Sequence, residues 1–435
     1  MRALTLALLT AAAAVTVGAT PPAHDIHTFT KIQLSDQFWS EGATAGDLDN
    51  DGVRDIVSGP YWWRGPDFKQ RREYYPATAT FQLKLGPMTT VTVPGFEGTL
   101  GRENKYSDNF FAWILDFNTD GWNDILIVGF PGTDTSWFEN PKGRDGHWTR
   151  HKIFDQTDNE SPVFTDITGD GKPELVCITK GQYGYAAPDW RDPARPWTFH
   201  SITPNRKYGN FTHGLGAGDI NGDGRSDLIE KDGWWEQPRS LAGDPPWTFH
   251  AQPMGTGGAQ MYAYDVNGDG LADVITSLAA HGFGLAWYEQ YREGGAIKFR
   301  EHVLMNKDPS ESPYGVKFSE IHAIDLADMD GDGLKDIVTG KRFWSHGRTG
   351  DPDRNDAAVL YWFRLTRGAD KNVDFVPYLI DSESGVGTQV VATDVNADGL
   401  PDIVVGNKRG TFVHVHQKRT GTREEWEKAQ PRRPK

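Results

Sequence analysis

Acidic side chains at alternate positions of a tight turn are the most distinctive chemical feature of the sequence. The stretch EIHAIDLADMDGDGLKDIVTG, residues 320–340, carries acids at loop positions 1, 3, 5 and 9, namely Asp328, Asp330, Asp332 and Asp336. Carboxylates at alternate positions of a curled segment direct their oxygens at one point, as a Ca²⁺ ion requires. A helical EF-hand is not expected, because Thr339 stands at position 12, where that motif has glutamate. The stretch therefore predicts a Ca²⁺ loop between two β-strands.

Variants of this loop occur seven times, and we number them loops 1 to 7 in chain order. The remaining predicted ligands are Asp47, Asp49, Asp51 and Asp55; Asp116, Asn118, Asp120 and Asp124; Asp166, Asp170 and Glu174; Asp219, Asn221, Asp223 and Asp227; Asp265, Asn267, Asp269 and Asp273; and Asp394, Asn396, Asp398 and Asp402. A single copy could be an ion-free turn, whereas seven copies predict ion binding at most of them. Loop 3 should bind most weakly, because Thr168 replaces the usual ligand at position 3.

Each loop lies within a repeat that predicts four short strands. A strand precedes the loop, a second apolar strand follows it, and a third carries aromatic pairs, as in PYWWRG, GWWEQP and LYWFRL. Because these pairs recur at one position, we interpret them as packing between repeats rather than as sugar-stacking platforms. The fourth strand resembles WTFHSIT or FVPYLID.

One strand of this fourth type, residues 27–36, precedes loop 1, whereas the last repeat lacks its own. The N-terminal strand should therefore complete the last repeat and close a ring without exposed edges. This predicts an all-β protein, a seven-bladed β-propeller of four-stranded blades over residues 26–418.

The rest of the composition sets limits on location and partners. Residues 1–19 read as a signal peptide, which predicts a secreted or periplasmic protein without membrane insertion, and residues 419–435 predict a disordered tail. A net charge of −15 argues against nucleic acid as a partner. Cys177 is the single cysteine, so no disulfide forms within the chain, and its apolar strand predicts burial.

The repeat DxNGDGxxDIVxG resembles the FG-GAP/VCBS repeats of integrin-α-like seven-bladed β-propellers over nearly all of the chain beyond residue 19. A weaker similarity is to the propeller part of fungal aldos-2-ulose dehydratases, sugar-dehydrating lyases in which an Ile-His segment, here Ile321-His322, leads into a loop strand. The resemblance covers at most that part of those enzymes and not their cupin domains. It implies that the first strand of each blade lines a central channel and that the Ca²⁺ loops lie on one face.

Six residues of strand rise about 20 Å, so the residue six before each loop should lie near the opposite opening of the channel. We call this set the channel mouth; it comprises Glu41, Phe110, Glu160, His213, Ala259, His322 and Thr388. If this position had only a structural role, it should hold one non-ionisable residue type in every repeat. Four of the seven residues are nevertheless Glu or His. They could merely hydrate the channel or pair with one another, but they also have the composition of a transition-metal or acid–base site. Glu320, two residues before His322, should face the same side.

Loops after the second strands should surround the channel mouth. Their candidate ligand-binding residues are Lys180, His281, Lys341, Arg342, Lys408 and Arg409. Solvated loop charges are one explanation; recognition of an anionic or polyhydroxylated ligand such as a carbohydrate is the other.

Two functions remain open at the sequence level. The first is a carbohydrate lyase or dehydratase acting by β-elimination, with His322 or His213 as the base, Tyr183 as the proton donor and Glu41 and Glu160 holding a transition metal with the second histidine. The second is a non-catalytic, Ca²⁺-stabilised module that binds glycans or proteins.

Overall fold

Short β-strands form nearly all of the regular structure. The computed structural model describes residues 24–77, 80–94, 105–347, 349–368 and 372–434 of the chain. The strands are β1 (His24–Ser35), β2 (Thr44–Gly46), β3 (Asp55–Ser58), β4 (Tyr61–Trp63), β5 (Arg71–Glu73), β6 (Thr80–Gly86), β7 (Thr89–Pro94), β8 (Phe111–Leu115), β9 (Asp124–Val128), β10 (Thr133–Glu139), β11 (Thr149–Thr157), β12 (Val163–Thr165), β13 (Glu174–Thr179), β14 (Gln182–Ala187), β15 (Thr198–Ser201), β16 (Leu215–Gly218), β17 (Asp227–Glu230), β18 (Gly233–Glu236), β19 (Thr248–Ala251), β20 (Gln260–Tyr264), β21 (Asp273–Ser277), β22 (Leu285–Glu293), β23 (Ala296–Met305), β24 (Ile324–Ala327), β25 (Asp336–Gly340), β26 (Leu360–Arg367), β27 (Val373–Asp381), β28 (Val390–Thr393), β29 (Asp402–Asn407) and β30 (Gly410–Gly421). The helices are a 3₁₀ turn (Pro309–Glu311) and α1 (Arg423–Ala429).

The strands pair as repeated four-stranded antiparallel units. Five sheets have four strands each: β2 to β5, β8 to β11, β12 to β15, β24 to β27, and β28 to β30 with β1. A sixth sheet has eight strands, because β16 and β20 pair in parallel and join the units β16 to β19 and β20 to β23. Gly216 allows that close approach, since a Cβ there would lie 1.9 Å from the carbonyl oxygen of Met261. These are seven units, blades 1 to 7, and β6 and β7 form a separate ribbon.

The predicted ring closure is confirmed. β1 pairs with β30 from His24 opposite Gly421 to Ser35 opposite Thr411, so the first described strand is the outer strand of blade 7. Each of loops 1 to 7 connects the first two strands of its own blade. The polypeptide is thus closed by β-sheet pairing between its two ends.

The core lies between blades and is rich in aromatic side chains. Trp62 of blade 1 packs with Phe138 of blade 2, and Trp235 of blade 4 packs with Tyr183 of blade 3. The third-strand aromatics are therefore packing residues, as predicted. Cys177 is fully buried in the same kind of cluster.

The C-terminal segment differs from its prediction. β30 continues to Gly421, and α1 follows with a capping box in which Thr422 and Glu425 bond each other's backbone N–H groups. The ring of Trp426 stacks on that of His24 at 5.2 Å, and Arg433 pairs with Asp374 at 2.8 Å. These contacts order a segment whose composition alone favours disorder.

The predicted signal peptide, residues 1–19, lies outside the described residues. Among the residues that the structure describes, no helix has both the length and the apolar character needed to cross a membrane.

Candidate functional site

Residues of the channel mouth contact one another across blades, where the chain enters the first strand of each blade. The backbone N–H of Thr388 donates to the carbonyl oxygen of Glu41 at 2.6 Å, and its hydroxyl donates to that of Phe110 at 2.6 Å. The N–H of Glu160 donates to the carbonyl of Thr212, next to His213, at 3.0 Å. Short contacts between blades thus bring distant parts of the chain together.

Three histidines cluster at this opening. Ligand atoms of His213, His281 and His322 lie within 4.8 Å of one another, and the Nε2 atoms of His213 and His281 are 2.9 Å apart. His213 and His322 precede first strands, whereas His281 follows the second strand of blade 5. The channel-mouth residue of blade 5 is Ala259, which has no ligand atom. His281 thus supplies the imidazole of that blade.

His322 is the most unusual member of the cluster. Its side chain is 1% exposed, and neither ring nitrogen has a hydrogen-bond partner among the described residues. Burial lowers the pKa of His322 and of His213 well below the ordinary value, and neighbouring cationic or imidazole groups lower it further. Both rings are therefore neutral, which is the form of imidazole that binds metal ions.

Glu320 lies against the three histidines. Its Oε2 is 3.6 Å from Nδ1 of His281 and 3.8 Å from Nδ1 of His322, and it accepts the hydroxyl of Ser345 at 2.6 Å. Its Oε1 has no hydrogen-bond partner in the described part of the chain. Glu320 also has φ of +62°, a backbone conformation that persists only where the surrounding structure enforces it.

A fourth histidine, His346, borders the cluster and is paired with a carboxylate. The Nδ1 of His346 is 2.8 Å from Oδ1 of Asp351, and the ring centroid of His346 is 4.3 Å from that of His281. Asp351 is buried and also accepts the backbone N–H of His346 at 2.9 Å. This orientation places a proton on Nδ1 and leaves Nε2 of His346 as a proton acceptor.

The predicted metal ligands Glu41 and Glu160 have a different partner. Arg342 donates from Nε to Oε2 of Glu41 and from Nη1 to Oε2 of Glu160, each at 3.0 Å, and all three side chains are buried. Lys408 Nζ is 3.4 Å from the other oxygen of Glu41. The two carboxylates thus compensate a buried guanidinium, and the described residues that group as potential metal ligands include neither of them. Their assignment to the metal is therefore corrected.

Burial also alters the proton affinity of groups around this ion pair. Burial lowers the pKa of Lys408 to about 8, although Glu41 opposes the shift. Burial raises the pKa of the Tyr106 hydroxyl to about 12, with Arg342 opposing. The ring of Tyr106 lies 5.7 Å from Nζ of Lys408.

The other predicted residues have contacts that do not include the three histidines. Tyr183 is fully buried between blades 3 and 4, with its hydroxyl 3.4 Å from the carbonyl oxygen of Gly214, a position that does not suit a proton donor to a ligand. Lys341 is buried and donates to Ser319 at 2.6 Å. Lys180 is exposed, and Arg409 donates to the carbonyl of Glu383 at 2.8 Å.

Sequence reasoning did not assign a catalytic role to Asp351 or His346. The one available signal was their occurrence in the long insertion at 341–358, because long loops within regular repeats often carry function.

Loops 1 to 7 present only oxygen donors, which fits the chemistry of Ca²⁺. In loop 6 the first aspartate, Asp328, accepts the backbone N–H groups of Gly331, Asp332 and Gly333 at 2.8 to 3.1 Å. Three acids also converge within 4.8 Å in loops 1, 3 and 6.

The acid at position 9 has a structural role of its own. Asp336 is fully buried and accepts the backbone N–H of Met329 at 3.1 Å and that of Leu365 at 2.8 Å. The other aspartates at position 9 likewise accept two backbone N–H groups each: Asp55, Asp124, Asp227, Asp273 and Asp402. The recurrence of an acid at position 9 therefore has a structural cause, because this acid accepts hydrogen bonds from the backbone.

Two segments match known repeat families. Residues 116–177 match an FG-GAP-like repeat and residues 386–422 match the FG-GAP repeat. The structure is a β-propeller, and these two segments of it match FG-GAP repeats, as the sequence motifs implied. No curated relative matches the chain.

Solved structures of similar architecture are distant. An Agrocybe aegerita lectin with specific recognition of non-reducing terminal N-acetylglucosamine is 14% identical, with a TM-score of 0.41 over 90% of this chain and 85% of the lectin. The exotype rhamnogalacturonan lyase YesX is 13% identical, with a TM-score of 0.42 over 92% of this chain and 74% of the lyase. The rhamnogalacturonan lyase YesW is 12% identical, with a TM-score of 0.39 over 91% and 73%. These likenesses concern the fold and no residue of the site.

Proposed function

We propose that the channel mouth binds one divalent transition-metal ion through His213, His281 and His322 and processes a carbohydrate by β-elimination. The observation that carries this proposal is His322, buried with both ring nitrogens lacking a hydrogen-bond partner among the described residues. Leaving such a group unpaired costs about 1–3 kcal/mol, and coordination of an ion would offset that cost. Clustered imidazoles suit Zn²⁺ and neighbouring transition metals better than Ca²⁺.

One residue beside the histidines and one beside the Arg342 ion pair suit proton transfer. In β-elimination a base removes the proton next to a carbonyl group, a carbon–carbon double bond forms, and the bond to the leaving oxygen breaks. His346, oriented by Asp351, would accept that proton at Nε2. Tyr106, which stays protonated at neutral pH, would donate a proton to the leaving oxygen in place of Tyr183. The metal ion, when bound, would act as a Lewis acid that stabilises the enolate.

The substrate class follows from the polar groups and from the weaker family resemblance. Arg342 and Lys408 are compensated by Glu41 and Glu160, so polar contacts rather than a net charge would hold the ligand, which suits a polyhydroxylated compound. The similarity of the Ile321-His322 segment to sugar-dehydrating lyases also favours a carbohydrate. A uronate or a keto-sugar has the acidic proton that elimination requires.

Metal analysis of the purified protein tests the site. We expect about one transition-metal ion per chain, lost in His322→Ala and retained in the control His250→Ala, because His250 only stacks on Trp234 at 4.1 Å and pairs with Glu236. Equal metal content in both variants would contradict the assignment.

Turnover is followed through the ultraviolet absorbance of the conjugated product on a panel of polyuronates and keto-sugars. His346→Gln should abolish turnover and keep the metal, so an active His346→Gln variant would contradict the proposed base. A metal-loaded protein that binds glycans from the panel without turnover would favour the binding module instead.

We also propose that Ca²⁺ occupies loops on the opposite face and stabilises the ring, in a protein exported from the cytoplasm as residues 1–19 predict. Sites of this kind in extracellular modules bind Ca²⁺ at about 10⁻⁴ to 10⁻³ M.

A further inference from the structure

One position, on the third strand of each blade or directly after it, lies beside the acidic loop. Trp63 pairs with Ile56, directly after the position-9 acid of loop 1, and Arg64 follows Trp63. In blade 6, Phe363 pairs with Ile337 in the same way, and Arg364 follows it. Arg64 and Arg364 therefore occupy the same structural position in two blades.

Both arginines bridge acids at positions 3 and 5 of their loops. Arg64 contacts Asp49 through Nε at 2.6 Å and Asp51 through Nη2 at 2.9 Å. Arg364 contacts Asp330 through Nε and Asp332 through Nη2 at 3.4 Å. A guanidinium carries a fixed positive charge and several donors, so it can neutralise these carboxylates as a bound cation would.

The chain itself provides the comparison, because position 3 is aspartate only in loops 1 and 6. The other loops have Asn118, Thr168, Asn221, Asn267 and Asn396 there. In those blades the third-strand position holds Glu139, Ala187, Glu236, Glu289 and Val415. The extra acid thus occurs exactly where an arginine faces it, and nowhere else in the seven repeats.

The glutamates found at this position in other blades carry no positive charge, so they cannot neutralise the loop acids. Glu236 pairs with His250 and Glu289 with His302, each at 2.8 Å, on the neighbouring outer strand. Arg225 in loop 4 also contacts an acid, but only Asp223 at position 5, and position 3 of that loop is an amide. Contact with both positions by a third-strand cation is confined, within the described residues, to blades 1 and 6.

We propose that Arg64 and Arg364 are the resident cations of loops 1 and 6, so that Ca²⁺ binds only the other five loops. A calcium ion at positions 3 and 5 would have to displace a guanidinium or share its carboxylates against like-charge repulsion. The two loops with the most aspartates would then be the poorest Ca²⁺ sites, poorer than loop 3. The inference rests on the proposal that the loops bind Ca²⁺, but its test separates the two.

The experiment counts bound Ca²⁺ per chain by elemental analysis after dialysis of the full chain against millimolar free Ca²⁺. We expect about five ions in the wild type and about seven in the double variant Arg64→Met, Arg364→Met. Arg225→Met is the matched control and should bind as many ions as the wild type. Circular dichroism shows whether each variant is folded.

Seven ions in the wild type would overturn the proposal without the need for any variant. A folded double variant that binds no more Ca²⁺ than the wild type would also overturn it. A wild type without Ca²⁺ whose double variant gains two ions would support the arginine assignment and contradict Ca²⁺ binding by the other five loops.

Discussion

The two ends of the first strands differ in how they treat buried polar groups. At the loop end, each aspartate at position 9 is buried and fully engaged with backbone N–H groups, as Asp273 is with Val266 and Gln290 at 2.9 and 2.7 Å. At the channel mouth, His322 and Oε1 of Glu320 are buried without hydrogen-bond partners among the described residues. Repetition with satisfied bonds indicates stabilisation of the fold, whereas unsatisfied groups that differ between blades indicate a binding site.

The largest expected difference between the two ends is in stability. Asp273→Ala leaves two buried backbone N–H groups unpaired, so the free energy of unfolding should fall by roughly 2–6 kcal/mol. His322→Leu replaces an unpaired imidazole with an apolar side chain, so the free energy of unfolding should not fall and should rise by up to about 1–3 kcal/mol. Urea denaturation in the presence of EGTA measures both changes without a contribution from bound ions. An equally large loss in His322→Leu would remove the distinction between the two ends.

Lys408, a charged group buried beside Glu41, should lower the free energy of unfolding at neutral pH. Its folded-state pKa of about 8 lies below the unfolded value of about 10.4, so the folded state binds fewer protons between these values and the free energy of unfolding rises with pH there. Lys408→Met should therefore be more stable than the wild type at pH 7 by up to about 3 kcal/mol, and the difference should shrink towards pH 10. Thermal melts from pH 6 to about 10 test this, and a variant less stable than the wild type at pH 7 would contradict it.

The C-terminal segment is a control, because it belongs to neither end of the first strands. Deleting residues 422–435 removes the stacking of Trp426 on His24 and the exposed pair of Arg433 with Asp374, which together should cost about 1 kcal/mol. Transition-metal and Ca²⁺ content should not change. A loss of either ion on deletion would mean that the segment supports a binding site.

Local sequence was sufficient for the architecture. The spacing of Asp328 to Asp336 and its six relatives marks the turn between the first two strands of each blade, and the unmatched strand at 27–36 implies closure with the last repeat. Both inferences depend on hydrogen bonds and turns formed by nearby residues or on counting repeats. The structure confirms the strand order and the pairing of β1 with β30. The composition of the tail favours disorder and gives no sign of α1, or of the contacts of Trp426 with His24 and of Arg433 with Asp374.

The sequence by itself determined which positions would reach the channel mouth, since these are set by a fixed distance along each first strand. Only the tertiary structure decided which of those side chains meet. Glu41 and Glu160 come from different blades, and their neutralisation by Arg342 of blade 6 depends on the position of all three around the ring. Likewise, His281 joins His213 and His322 because the segment after the second strand of blade 5 brings its imidazole next to theirs. Pairing between charges far apart in the chain is a property of ring closure, and no local pattern encodes it.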